Sequence, residues 1–172
     1  MMLLTALLGA AGSARAAPSD RPLPAFTHTS RADWLNSAPL TVADLKGHVT
    51  LVDFWAFECW NCYHTTPWLN ALNARYQTRG LTIVSVHTPE LPIERQRDRL
   101  LAKVDEFHIE NPVMIDNDGS YWRALGNQYW PAFYLIDRQG IVRDVFVGET
   151  HAGDRRARAI EARIDALLAE SP

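Results

Sequence analysis

The 172-residue chain has little cysteine: Cys59 and Cys62 are the only two. A zinc site built on them needs at least one further pair of ligands. His64, His87 and His151 stand apart in the sequence, none with a partner at ligand spacing. An excess of positive charge is lacking as well. The formal net charge is -3, and no Lys/Arg stripe marks a nucleic-acid face. Arg155, Arg156, Arg158 and Arg163 alternate with Asp154, Glu161 and Asp165, the mixture of a solvated helix face. The one apolar run at the start, residues 1–11, falls well short of the roughly 20 residues that span a bilayer. No internal repeat or low-complexity tract appears beyond the signal-like start and the proline-rich stretch from Pro18 to Pro24. With 47% apolar and 22% charged residues, the composition is that of one soluble domain with a full core.

What is present centres on Leu51-Val52-Asp53-Phe54-Trp55-Ala56-Phe57-Glu58-Cys59-Trp60-Asn61-Cys62. The apolar and β-branched run from Val49 predicts a buried strand over 49–56, which delivers both thiols to the start of a helix carrying Trp68, Leu69 and Leu72. Helix N-terminal N–H groups lack intrahelical partners and the macrodipole is positive there, so a thiolate is stabilised at that end. Thiolate is the reactive form, and such placement lowers a thiol pKa from about 8.5. The first thiol, Cys59, is expected as the exposed nucleophile and Cys62 as the resolving thiol. The competing reading is a structural bridge, but a loop this short constrains the unfolded chain little.

Residues 1–17 have the pattern of a secretory signal: an apolar run, small residues, and an Ala14-Arg15-Ala16 cleavage-type triplet, though no Lys or Arg precedes the run. Export places the cysteines where disulfides persist. Residues 18–38 are expected as a proline-rich linker and lead-in, with a short strand or edge near Trp34, and residues 39–172 as the folded domain. Residues 40–47 predict a helical turn closed by glycine. Pro67 interrupts the helix after the cysteines, and Gly80 ends it. Strands are predicted over 81–86 and 113–116, and a helix after residue 93 with Leu100, Val104 and Phe107 on one face. A short helix at 120–125, a hairpin of 132–136 with 141–147, and a closing helix over 153–170 complete the pattern. Helices alternating with strands and then a hairpin imply an α/β fold, a mixed sheet covered on both faces.

Val52-Asp53-Phe54-Trp55-Ala56 leading into Cys-x-x-Cys, with Pro67 five residues after the second cysteine, resembles the active-site segment of the thioredoxin superfamily. Further motifs are Val86-His87-Thr88-Pro89-Glu90, Ile115-Asp116-Asn117-Asp118, the run from Tyr129 through Trp130-Pro131 to Asp137, and Gly148-Glu149. These are similar to the exported thioredoxin-like domain of the DipZ family, a relative of the TlpA/ResA-type oxidoreductases. Asn61 stands before the second cysteine, as it often does in that family. The likeness covers roughly residues 39–170. It implies a thioredoxin-like fold, a thiol-disulfide oxidoreductase, protein disulfides as substrates and no cofactor. The recharging partner would be a separate membrane electron donor of the DsbD/CcdA type, with membrane contact only through an uncleaved signal. ResA-type proteins keep a glutamate where this chain has Thr65, so the resemblance does not extend to that residue's role.

The resemblance also implies residue roles. Trp130-Pro131 matches the cis-proline that faces the disulfide, which would turn the Trp130 backbone toward a bound substrate chain. Asp53 stands at the buried-acid position; desolvation would raise its pKa and let it exchange a proton with Cys62, the alternative being a backbone cap. Glu90, beyond the second strand, is expected on the same sheet edge, assisting proton transfer or capping its loop. Trp60, Phe57 and Trp55 are expected as an apolar rim, with Trp60 contacting substrate. Haem attachment needs His directly after the second cysteine, where Tyr63 stands, and a peroxidase would want threonine at Ala56. Trp60 and Asn61 carry no charge and Glu58 adjoins Cys59, features of a reducing pair. A reductase is therefore expected over an oxidant, with a dedicated electron carrier or binding module as the alternative.

Overall fold

The computed structural model describes residues 21–170; the expected signal lies outside them. Seven strands form one sheet: β1 (Arg21–Pro22), β2 (Trp34–Leu35), β3 (Val49–Trp55), β4 (Leu81–His87), β5 (Val113–Ile115), β6 (Ala132–Ile136) and β7 (Ile141–Val147). Their order is β1-β7-β6-β3-β4-β5-β2. β3, β4 and β5 run parallel, whereas β6, β7 and both short edge strands pair antiparallel. Among the described residues four α-helices accompany the sheet: α1 (Trp60–Tyr76), α2 (Arg97–Glu106), α3 (Ser120–Leu125) and α4 (Arg155–Ala169). The expected α/β architecture is present. No helix among the described residues is long and apolar enough to cross a membrane.

β3 sits at the centre and is buried along its whole length, which explains its largely apolar sequence, broken only by Thr50 and Asp53. Alternation sorts its side chains. Val52 and Phe54 join one core layer with Val84, Met114 and Tyr134, while Val49 and Leu51 join another with Trp68, Leu69 and Leu72 of α1 and Ile160 and Ile164 of α4. Asp53 and Trp55 therefore point to the side where α1 lies. Gly80, at φ 98°, makes the left-handed turn between the end of the α1 region and β4.

The other face is covered by α3 and by chain expected as linker. Leu23 and Phe26 are buried and Trp34 is completely so. Phe26 meets the Trp34 ring edge-on at 5.3 Å and the Tyr121 ring at 5.1 Å. Arg21 and Pro22 pair with Val142 and Ile141, and Trp34 and Leu35 with Met114 and Val113. Pro22 is tolerated because β1 is an edge strand. Residues 21–38 are thus packed against the sheet rather than spaced from it. Their three anchors fall at irregular intervals, so no helix or strand period announces them. Residues 41–48 form successive three-residue turns (His48 N–H to the Leu45 carbonyl, 3.1 Å) rather than a helix.

Candidate functional site

Cys59 is the N-cap of α1, in extended conformation, and its sulfur accepts from the Cys62 N–H at 3.2 Å. The two cysteines form a disulfide with their Cα atoms 5.2 Å apart. Cys59 is the more accessible, but only just: 7% exposed against 3% for Cys62. The exposure expected at the nucleophile belongs instead to its neighbours Trp60, at 69%, and Tyr63, at 48%. Trp60 stacks near Tyr63 (6.0 Å) and meets the His64 ring at 4.4 Å. Phe57 and Trp55 are buried in the layer beneath.

The Trp130-Pro131 peptide bond is cis. Trp130 packs on the cluster holding both cysteines, against the Trp122 ring at 4.1 Å, and its indole N–H donates to the Thr88 carbonyl at 3.0 Å. Thr88 in turn donates from Oγ1 to Asp116 at 2.9 Å. Asp116 also accepts the Tyr121 and Trp122 N–H groups at the start of α3 (3.0 and 2.9 Å) and faces His28 Nε2 at 3.1 Å. His28, Asp116 and Asp118 form the one group of three among the described residues close enough to share a cation. The backbone N–H groups and Thr88 already engage both Asp116 oxygens, so the cluster acts as a tie between the N-terminal segment, α3 and the Trp130 loop.

Asp53 is 3% exposed and lines, with Cys62, Thr65 and Pro131, a cavity of about 10 Å³. Burial raises its pKa to about 7, against a smaller opposing effect from the Ser85 hydroxyl, which donates to it at 3.2 Å. Asn111 donates to the same hydroxyl at 2.9 Å. Thr65, at the position where ResA-type proteins have glutamate, accepts the Thr150 N–H at 3.0 Å and donates to the Asn61 carbonyl at 2.8 Å. It fixes the loop after β7 to α1.

Glu90 does not join this arrangement. It is exposed, is not among the residues lining the cavity, and its backbone N–H donates to Glu94 at 2.6 Å. The buried carboxylate of the loop is Glu94, which the sequence did not single out. Its Oε1 accepts the Glu58 N–H at 2.8 Å, one residue before Cys59, and its Oε2 accepts the Glu90 and Leu91 N–H groups at 2.6 Å each. The only signal for it was Pro92 two residues earlier, which starts the 3-10 turn Pro92–Arg95. His87 is likewise buried, stacked on Phe57 at 5.4 Å and edge-on to Trp55 at 5.0 Å, with neither ring nitrogen hydrogen-bonded. Burial pushes its pKa down to about 3, with only a minor opposing contribution from its own backbone carbonyl. His64 and His151 share one oxygen of Glu149, at 3.2 and 2.6 Å.

A disulfide capping a helix at the end of a central strand, with a cis-proline and a buried carboxyl on one cavity with its inner sulfur, defines a thiol-disulfide oxidoreductase of thioredoxin-like fold. The chain belongs to the Redoxin family, whose model matches residues 18–162. It is 28% identical to the thiol-disulfide oxidoreductase YkuV of Bacillus subtilis over 88% of this chain and 97% of that one. It is 37% identical to the protein DipZ of Mycobacterium tuberculosis over 67% of this chain. That match spans only 17% of the DipZ length. Among solved structures, that of a thioredoxin-like protein in its oxidized form superposes with a TM-score of 0.75 at 28% identity, covering 89% of this chain and 98% of that one.

Proposed function

We propose that this protein reduces disulfides of exported proteins by dithiol-disulfide exchange through Cys59 and Cys62. The observation that carries the reading is the shared cavity of Cys62, Asp53 and Pro131 behind a sulfur that caps a helix. The Cys62 N–H and the α1 dipole stabilise a thiolate on Cys59. That thiolate attacks one sulfur of a substrate disulfide; a Cys59–substrate bond forms, the substrate S–S bond breaks, and one substrate thiolate leaves and takes a proton from water. Cys62 then gives its proton to Asp53 and attacks Cys59 Sγ. The Cys59–substrate bond breaks, the substrate's second sulfur departs as a thiolate that takes a proton from water, and two electrons have passed from the pair to the substrate. Asp53, with a pKa of about 7, is matched to that proton transfer at neutral pH. A cavity of about 10 Å³ accommodates roughly one water centre to carry the proton. Asp53 rather than Glu90 is assigned this role.

Trp60 and the backbone before Pro131 are assigned to substrate contact, and a membrane dithiol donor of the DsbD/CcdA type to re-reduction. Export is supported by the signal-like pattern of residues 1–17. The uncharged Trp60 and Asn61 between the cysteines favour a potential near the thioredoxin value of about −270 mV over the oxidant value near −120 mV. A second reading, a carrier dedicated to fixed partners, is favoured by the exposed, stacked rings of Trp60 and Tyr63 beside Cys59. Insulin turnover with a chemical reductant separates the two, since a dedicated carrier leaves an arbitrary disulfide largely untouched. The test of mechanism is Cys62→Ser, which should accumulate a mixed disulfide on Cys59. Trapping by Cys59→Ser instead would reverse the two thiols.

A further inference from the structure

We propose that Glu94 is a positioning residue for the disulfide, holding the turn that carries Cys59 and biasing the pair toward its oxidised form. The inference rests on the reading of Cys59 and Cys62 as the exchanging pair. Glu94 is completely buried, and both of its oxygens are spent on backbone donors: Glu58 N–H on one, Glu90 and Leu91 N–H on the other. The carboxylate thus ties together two loops, the one after β3 and the one after β4. The Glu58 N–H belongs to a tight turn in which the Cys59 N–H donates to the Ala56 carbonyl at 3.3 Å. Fixing Glu58 fixes the start of α1 and the direction in which the Cys59 sulfur faces.

Two electrostatic consequences follow. The Glu58 N–H, which stands next to the reactive sulfur in sequence, is turned to Glu94 and is withdrawn from the donors available to a Cys59 thiolate. A carboxylate hydrogen-bonded to the N–H of the residue before Cys59 opposes that thiolate by like charge. Both effects act on the reduced state alone, because the disulfide carries no charge. Oxidation of the pair (two thiols losing two protons and two electrons to form one S–S bond) is therefore favoured, and the pair becomes the stronger reductant. Glu94 needs no contact with substrate to do this.

Glu94→Gln keeps the shape of the side chain but leaves one acceptor oxygen, so at least one of the three N–H groups faces an NH₂. Asp98→Asn removes an exposed carboxylate from α2 and serves as the equal-charge control. The purified full chain is equilibrated with glutathione, and the Cys59 thiol pKa is read from thiolate absorbance against pH. In Glu94→Gln the thiol pKa should fall and the equilibrium should shift about tenfold toward the dithiol, a rise of about 30 mV for a two-electron couple. Asp98→Asn should move neither. A folded Glu94→Gln protein with unchanged potential and thiol pKa overturns the proposal, whatever its melting temperature. Amide exchange on the wild-type chain gives a measurement independent of the variant: the Glu58 N–H should be protected in both redox states, and rapid exchange of it in the reduced protein overturns the proposal too. A wild-type protein that fails to turn over protein disulfides would count against the functional reading and leave these two comparisons standing.

Discussion

Asp53 and Cys62 line the same cavity, one from the central strand and the other from the first turn of α1, with Pro131 closing it from a third element. A carboxyl and a sulfur that are nine residues apart in sequence share a solvent-poor space of about 10 Å³. The chemistry expected there depends on the charge of Asp53, and that charge is coupled to the stability of the fold.

Asp53→Asn should make the protein more stable, and more so in alkali. The folded pKa of about 7 lies above the ordinary carboxyl value of 3.8. Folded chains therefore hold a proton between pH about 4 and 7 that unfolded chains have released, and stability falls as pH rises through that window. A rise of that size in the folded state corresponds to about 4 kcal/mol, so urea unfolding at pH 8 should favour the variant by an amount of that order and by less at pH 5. The same variant should lose the ionisation near pH 7 from the rate of the step in which Cys62 attacks. Equal midpoints at pH 8 would count against the raised carboxyl pKa.

His87→Phe should act on the acid side with the opposite sign. The folded pKa of His87, about 3, lies below the ordinary 6.5, so unfolded chains take up a proton between those values and folded chains do not. Its contribution is complete above pH 6.5 and is lost as pH falls toward 3. Phenylalanine cannot charge, and it removes two buried nitrogens that have no partner. The variant should be at least as stable at pH 7 and should retain about 3 kcal/mol more than wild type at pH 4. Between pH about 4 and 6.5 the slopes due to Asp53 and His87 oppose one another. Each single variant should therefore tilt a profile that is nearly flat in the parent, and parallel profiles would refute both assignments.

Trp34→Ala tests the packing of residues 21–38. A fully buried indole that meets Phe26 edge-on should be worth about 3–5 kcal/mol on truncation. Thermal or urea unfolding of the full chain reads this directly. A change below about 0.5 kcal/mol, as at an exposed position, would mean that the segment is loosely attached.

Much of this was legible in the sequence because the decisive elements are periodic or chemically unambiguous. Val49–Trp55 is apolar on both faces because β3 is buried on both faces, and Cys59 and Cys62 fall where a strand gives way to a helix. The proline of Trp130-Pro131 was found by its motif and is cis. Asp53 stood out as the single charge in an apolar strand. Other parts were hidden for physical reasons. Leu23, Phe26 and Trp34 bury without periodicity because an irregular segment meets the sheet at separate points. Glu94 lay in a run of charges, Glu94-Arg95-Gln96-Arg97-Asp98-Arg99, and only three-dimensional closure turns one of them inward while the rest stay in solvent. Glu90 was chosen from its place beyond β4, but it lies three residues past the end of that strand, in a loop that leaves it exposed.

Both rims of the sheet come from one short length of chain. β1 covers the outer side of β7 and β2 covers the outer side of β5, and the residues between them cross the face that the long helices leave bare. The segment is a girth strap buckled at each end, and losing all of it strips the protein of both hems together. A shortened chain starting after residue 38 would keep its redox pair and its central strands while offering two raw strand borders to its neighbours, the condition in which sheets recruit one another.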